Sequence, residues 1–248
     1  MQLTHFTVDQ WLLAFLAALL IGMAKSGLAG LGLFPVLLMA DVLPARESTG
    51  VVLPLLICGD LLAVGFFRKH AHWKHLRGLL PPAILGIFVG FLFMRMSFSN
   101  TLFRHVIGWI VLGMVVLQLV RKVLPAKFEH IPHTQGFAWG MGGLAGITTM
   151  MANAAGPVMA LYLLAVDLPK LQFVGTSAWF FLIVNLIKVP FSWKLGLIGA
   201  HSLLFNLILS PAVALGILAG RHLLKLIPQK LFEYLALGFA AIAALRLL

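Results

Sequence analysis

Chemistry in this chain is concentrated in the run from Gly175 to Pro190, GTSAWFFLIVNLIKVP, an apolar stretch that carries an amide and an ammonium. Asn185 and Lys188 are three residues apart, so on a helix they project from one face. A lysine at membrane depth costs at least ~2.5 kcal/mol on insertion scales, so its expected place is a protein interior or a wet cavity. An amide and an ammonium together can bind an anion, the ammonium replacing part of the hydration that the ion loses. Few other polar residues lie within apolar segments: Lys25, Asp60, Gln118 and Asn153. Asp60 has two readings. It is a structural ion pair with Lys25 or Lys188, or it belongs to a site near the midplane and carries a proton coupled to anion movement. Thr148, Thr149, Thr176 and Ser177 add hydroxyl donors, although a membrane-helix hydroxyl often bonds back to its own backbone.

The elements that must position these groups are membrane helices. Of 248 residues 61% are hydrophobic and 10% charged, and mean hydropathy is +1.04, against about 25% charged residues in a soluble domain. The expected fold is an all-α polytopic membrane protein. The net charge of +11, from 18 Lys+Arg and 7 Asp+Glu, is read as cytoplasmic loops beside anionic lipid rather than as nucleic-acid binding. Cys58 is the single cysteine, so an internal disulfide is impossible. The opening MQLTHFTVDQ lacks a basic segment before a short apolar core, so no cleaved signal peptide is expected, and no interval is long enough for an appended soluble domain.

A first apolar block, 9–40, is interrupted by Lys25-Ser26-Gly27, Gly30, Gly32 and Pro35. As one helix it would run roughly 48 Å against a hydrocarbon core of about 30 Å, so a broken helix or helical hairpin fits best. A break exposes backbone groups that membrane depth tolerates only inside protein or beside a cavity. Single spans 49–67, 76–94 and 102–124 follow, then a connector, 125–135. The pattern restarts with a second broken block, 136–166, holding Gly142-Gly143, Gly146, Asn153 and Gly156-Pro157, and spans 173–191, 202–220 and 231–248. Aligning Pro44 with Pro169 also aligns Gly50 with Gly175 and Asp60 with Asn185; Gly86 and Gly90 then fall on Gly216 and Gly220 after one insertion. The expectation is two related halves, 1–124 and 136–248.

If each broken block returns to its starting side, the loops 68–77, 121–135, 167–172 and 221–230 share one side, and they hold 11 of the 18 Lys and Arg. By the positive-inside rule that side is cytoplasmic, both termini are periplasmic, and the halves are inverted repeats. His70, His72 and His75 in the most basic loop have a metal-binding reading, but no carboxylate or thiol is near, and a solvated loop facing lipid is the alternative.

At these motifs the sequence resembles the TauE/SafE, or sulfite exporter, family of permeases. The residues that carry the likeness are GLAGLGLFP (Gly27 to Pro35), GGLAGITTMMANAAGP (Gly142 to Pro157) and GTSAWFFLIVNLIKVP with Trp193 and Gly196. In the first half the adjacent glycines are thinned to Gly27, Gly30 and Gly32. The resemblance implies a bacterial inner-membrane permease that exports sulfite, sulfonates or related organosulfur anions. The expected substrate site comprises Asn185, Lys188, Thr176, Ser177, Asn153, Thr149, Lys25, Gly30 and Gly32, with Asp60 as a coupling group or ion-pair partner. The expected partners are a small anion and the bilayer, with no cofactor, metal or nucleic acid. Absent Walker, dinucleotide and HExxH patterns and paired carboxylates argue against a membrane-embedded enzyme; an anion channel is the closer alternative, since half-helices also build selectivity filters.

Overall fold

The structure, a computed structural model, describes residues 6–27, 29–96, 134–166 and 168–228, with single positions between 105 and 120 and between 231 and 245. Among the described residues five helical stretches are long and apolar enough to cross a membrane: Val8–Lys25, Glu47–His70, Trp73–Arg95, Lys170–Lys194 and Ser202–Leu226. The chain is an all-α polytopic membrane protein. Of the expected spans, 102–124 and 231–248 lie outside the described residues except at single positions, all helical, and so does most of the connector.

Helix α1 (Val8–Lys25) starts at a capping box in which Thr7 accepts from Gln10 N and the Gln10 side chain accepts from Thr7 N. These bonds satisfy amides that would otherwise be orphaned at the helix start. The helix stops at Ser26 and Gly27, whose φ of 111° lies where a side chain is strained. A 3₁₀ turn, Ala29–Gly32, leads into α2 (Leu33–Val42), which packs on α1. After α3 (Ala45–Val51) come α4 (Leu53–Phe67), a basic turn at Arg68–His70, and α5 (Trp73–Arg95).

The second block is also a long helix followed by a short one. Helix α6 (Gln135–Ala152) is capped by Thr134 and ends at Asn153, in the left-handed region with φ 53°, where Asn153 N and Ala154 N donate to Thr149 O and Thr148 O. That pairing absorbs two of the helix's last carbonyls. Helix α7 (Ala155–Ala165) follows, and its Tyr162 stacks on Phe137 from the first turns of α6, ring centroids 5.7 Å apart. Helices α8 (Lys170–Lys194) and α9 (Ala200–Leu226) complete the described bundle. Three of the expected single spans, 76–94, 173–191 and 202–220, are helical beyond both ends, because termini such as Trp73, Lys74 and Lys194 continue the helix beyond its apolar stretch.

Two close helix pairs, α1 with α9 and α5 with α6, hold the bundle together, and their contacts correspond position by position. A methyl group at Gly22 would meet Val213 O at 2.1 Å, and one at Gly146 would meet Ala83 O at 2.1 Å. One at Gly216 would meet Leu19 O at 2.0 Å, and one at Gly86 would meet Gly143 O at 2.2 Å. Gly220 against Met23 O and Gly90 against Ile147 O continue the match, at 3.0 and 3.1 Å. Small residues at these positions let the backbones approach, which is how helices associate where lipid removes the hydrophobic drive.

The basic segments meet at one end. His72 N donates to Thr176 Oγ1 (2.9 Å), His75 Nδ1 is 2.9 Å from Tyr162 Oη, and Lys170 Nζ donates to Leu224 O and Ile227 O at the end of α9. At the other end Asn206 Nδ2 donates to Val51 O (2.6 Å), and Phe205 packs with Phe6 and Trp11. Helices α4 and α8 pass between these ends in opposite directions.

Candidate functional site

Where α4 and α8 cross, the two polar residues in the middle of apolar helices meet. Asn185 Nδ2 donates to Asp60 Oδ2 at 2.7 Å, and both side chains are buried. The other carboxylate oxygen, Oδ1, lies 2.6 Å from Lys25 Nζ at the end of α1. The ion pair of Asp60 is thus with Lys25, the first of the two partners considered from the sequence. Lys25 Nζ also stands 4.5 Å over the Phe181 ring, a favourable place for a cation.

Lys188 is differently held. Its Nζ donates to Asn153 Oδ1 (2.5 Å), Thr149 Oγ1 (3.2 Å) and Asn185 Oδ1 (3.4 Å). The NH₂ group of Asn185 is committed to Asp60, and that of Asn153 donates to Thr49 O at 2.9 Å, so both amides turn their oxygens toward the lysine. Three donors of one ammonium face three neutral acceptors. Lys188 is only 1% exposed.

A cavity of about 70 Å³ lies beside this cluster. Lys25, Thr149, Asn153, Ser177 and Asn185 supply its polar wall, and Phe181 and Phe173 part of its apolar wall. The first turns of both short helices also face it, Gly32 and Pro35 from α2 and Gly156 and Ala160 from α7. Helix N-termini carry partial positive charge and favour anions. A methyl group at Gly32 would meet no atom within 4 Å, so this glycine leaves space in the cavity rather than closing a helix contact.

Of the residues singled out in the sequence, Lys25, Gly32, Thr149, Asn153, Ser177 and Asn185 line the cavity, while Lys188 and Asp60 stand one layer behind it. Gly30 lies in the 3₁₀ turn between α1 and α2. Thr176 is turned away, its hydroxyl taken by His72 N, and Thr148 bonds back to Leu144 O at 2.8 Å. Phe181 and Ala160 were not anticipated. Phe181 precedes Asn185 by one helical turn, so its position on the same face was legible in principle, but an apolar ring among 19 phenylalanines carries no mark. Among the described residues no group of His, Cys, Asp or Glu converges as a metal site; His72 and His75 contact each other, and His75 also contacts Tyr162.

The family model described as Sulfite exporter TauE/SafE matches residues 13–247, nearly the whole chain. The chain belongs to the TauE/SafE family. Proteins of the TauE/SafE family are membrane transporters and not enzymes, so the buried polar cluster is to be read in terms of passage rather than of reaction. No curated protein and no solved structure matches the chain.

Proposed function

We propose that this TauE/SafE transporter is a secondary permease that carries a small sulfur-containing anion, sulfite or an organosulfonate, out across a bacterial inner membrane, and that the cavity beside Lys25 is its binding site. The observation that carries the reading is the charge of the buried cluster. Among the described residues Asp60 is the one acid beside Lys25 and Lys188, so the cluster has one more basic side chain than acidic ones where lipid and protein would otherwise exclude it. Such an excess is costly without a ligand that neutralises it. The Lys25 ammonium and the hydroxyl groups of Thr149 and Ser177 on the cavity wall suit the oxygens of an oxyanion.

Alternating access is supported by the pairing of parts. The matched glycine contacts of α1 with α9 and α6 with α5 fit two related halves, 1–124 and 136–248, joined by the connector 125–135. The opposite courses of α4 and α8 favour an inverted relation between them, and Tyr162 beside Phe137 favours a hairpin for the second block. In such transporters the site lies at the interface of the repeats, where broken helices end. The gathering of the segments around Arg68–His70, Lys170 and Leu224 at one end supports a cytoplasmic assignment for that end and a periplasmic one for both termini.

Reconstitution into liposomes tests the reading. Sulfite, sulfoacetate, thiosulfate and sulfate are compared as substrates, with and without a proton gradient and with the membrane potential clamped. Accumulation of a sulfur anion against its own gradient is expected. Movement that only follows the potential would mean a channel, and failure to move any of the four would remove the proposal.

A further inference from the structure

The cluster also fixes how much charge the passenger carries. We propose that Asp60 is a specificity-determining residue that sets the site for singly charged anions over doubly charged ones of the same shape, an inference that rests on the cavity being the anion site. The charges that face one another are few. From α1 comes Lys25, 2.6 Å from Asp60 Oδ1 on α4; from α8 comes Lys188, linked to Asp60 through Asn185. With both ammonium groups charged and the carboxylate ionised, the cluster has one positive charge left over. A monoanion beside Lys25 brings the sum to zero. A dianion overshoots it, leaving a buried negative charge without a partner, the arrangement that low-dielectric surroundings penalise most.

Geometry adds to the count. Lys188 spends its three protons on Asn153, Thr149 and Asn185, so a ligand in the cavity meets it across those neutral groups rather than directly. Lys25 is the ammonium on the cavity wall, and Asp60 already holds one side of it. An entering anion therefore shares Lys25 with Asp60, and each unit of its charge is repelled by that carboxylate. Asp60 is buried completely, on the far side of Lys25 and Asn185 from the ligand, so it acts through charge without touching the passenger.

The test uses perchlorate and sulfate, both tetrahedral with four oxygens and differing in charge, with methanesulfonate as a second monoanion. Their Kd values are measured for the detergent-solubilised full chain by anion-dependent thermal stabilisation at constant ionic strength and pH. Wild type is expected to bind perchlorate and methanesulfonate more tightly than sulfate. Asp60→Asn keeps the shape and the bond to Asn185 while raising the surplus by one. It should move the sulfate-to-perchlorate Kd ratio toward sulfate by about a hundredfold, the factor that a unit charge roughly 6 Å away gives at an effective dielectric constant of about 20. If Asp60→Asn fails to fold, Asn153→Asp, which places a carboxylate against Lys188 and lowers the surplus by one, should move the ratio in the opposite direction. A wild type that prefers sulfate, or a folded variant whose ratio stays within threefold of wild type, overturns the inference while leaving an anion site in place. A wild type that binds none of the three anions takes away the site itself.

Discussion

Replacing Gly216 by alanine should unfold the bundle at a markedly lower temperature, and replacing Gly86 should do the same by the same mechanism. The new methyl group at 216 would stand 2.0 Å from the Leu19 carbonyl oxygen, and that at 86 would stand 2.2 Å from the Gly143 carbonyl oxygen, whereas ordinary contact begins near 3.4 Å. The obstacle is backbone in both cases, so no side chain can swing aside. The helices must part by roughly 1.3 Å, and a gap of even 0.5–1 Å forfeits a quarter to a half of the dispersion energy across it. Alongside Gly216 that gap would loosen Ala17, Ala18, Ile21, Val213 and Ile217, all buried at 1% or less. Overpacking of this kind costs about 3 kcal/mol, at the upper end of the usual range because backbone must move. For a chain of this length about 3 kcal/mol lowers Tm by roughly 6 to 12 °C. Gly140→Ala is the control: its methyl group meets nothing within 4 Å on an exposed face of α6, and helix propensity makes it neutral or stabilising by up to about 1 kcal/mol. The assay is thermal unfolding of each purified variant in the same detergent. Gly216→Ala and Gly86→Ala melting within 2 °C of wild type would refute the close-approach reasoning, and unequal losses in the two would argue against matched halves.

Other outcomes follow from single contacts. Gly32→Leu should fold normally yet lose transport, because its side chain enters open cavity space rather than a packed interface; normal flux in liposomes would place the route elsewhere. Thr176→Val removes the acceptor of His72 N and should cost about 1 to 2 kcal/mol of stability while leaving anion affinity unchanged, since its hydroxyl is turned away from the cavity; a tenfold change in Kd would contradict that placement. Lys69, exposed in the basic turn, should react as cysteine with an impermeant maleimide only in inverted vesicles when Cys58 is replaced by alanine; labelling in intact cells would reverse the orientation.

Much of the buried polar cluster was legible because a polar residue in an apolar helix is expensive. Asp60, Asn185 and Lys188 announced themselves by residue type, and Thr149 and Asn153 by lying at a glycine-rich break. What they bond to was not legible. Whether Asp60 pairs with Lys25 or Lys188 depends on the depth and rotation of α1 against α4, and those are set by Gly22, Gly216 and their contacts across helices that are far apart in sequence. The same rotation turns Thr176 toward the α4–α5 turn and its neighbour Ser177 toward the cavity. Helix ends differ from the apolar stretches for another reason: hydropathy marks where lipid contact stops, whereas backbone bonds such as those at Met96 and Leu195 decide where the helix stops.

Sulfite flux through Lys188→Met tests most directly whether the charge of the buried lysines holds the transported anion. Lys188 lies one side-chain layer behind the cavity, and a unit charge about 7 Å from the ligand is worth about 2.4 kcal/mol at an effective dielectric constant of about 20, or roughly fiftyfold. Folding should survive, since the acceptors on Asn153 and Asn185 border the cavity and Thr149 can turn its hydroxyl. The measurement is initial sulfite uptake into liposomes at subsaturating concentration, with the variant's unfolding temperature matched to wild type. A fall of roughly fiftyfold or more is predicted, and uptake within twofold of wild type by a well-folded Lys188→Met protein would contradict the central claim.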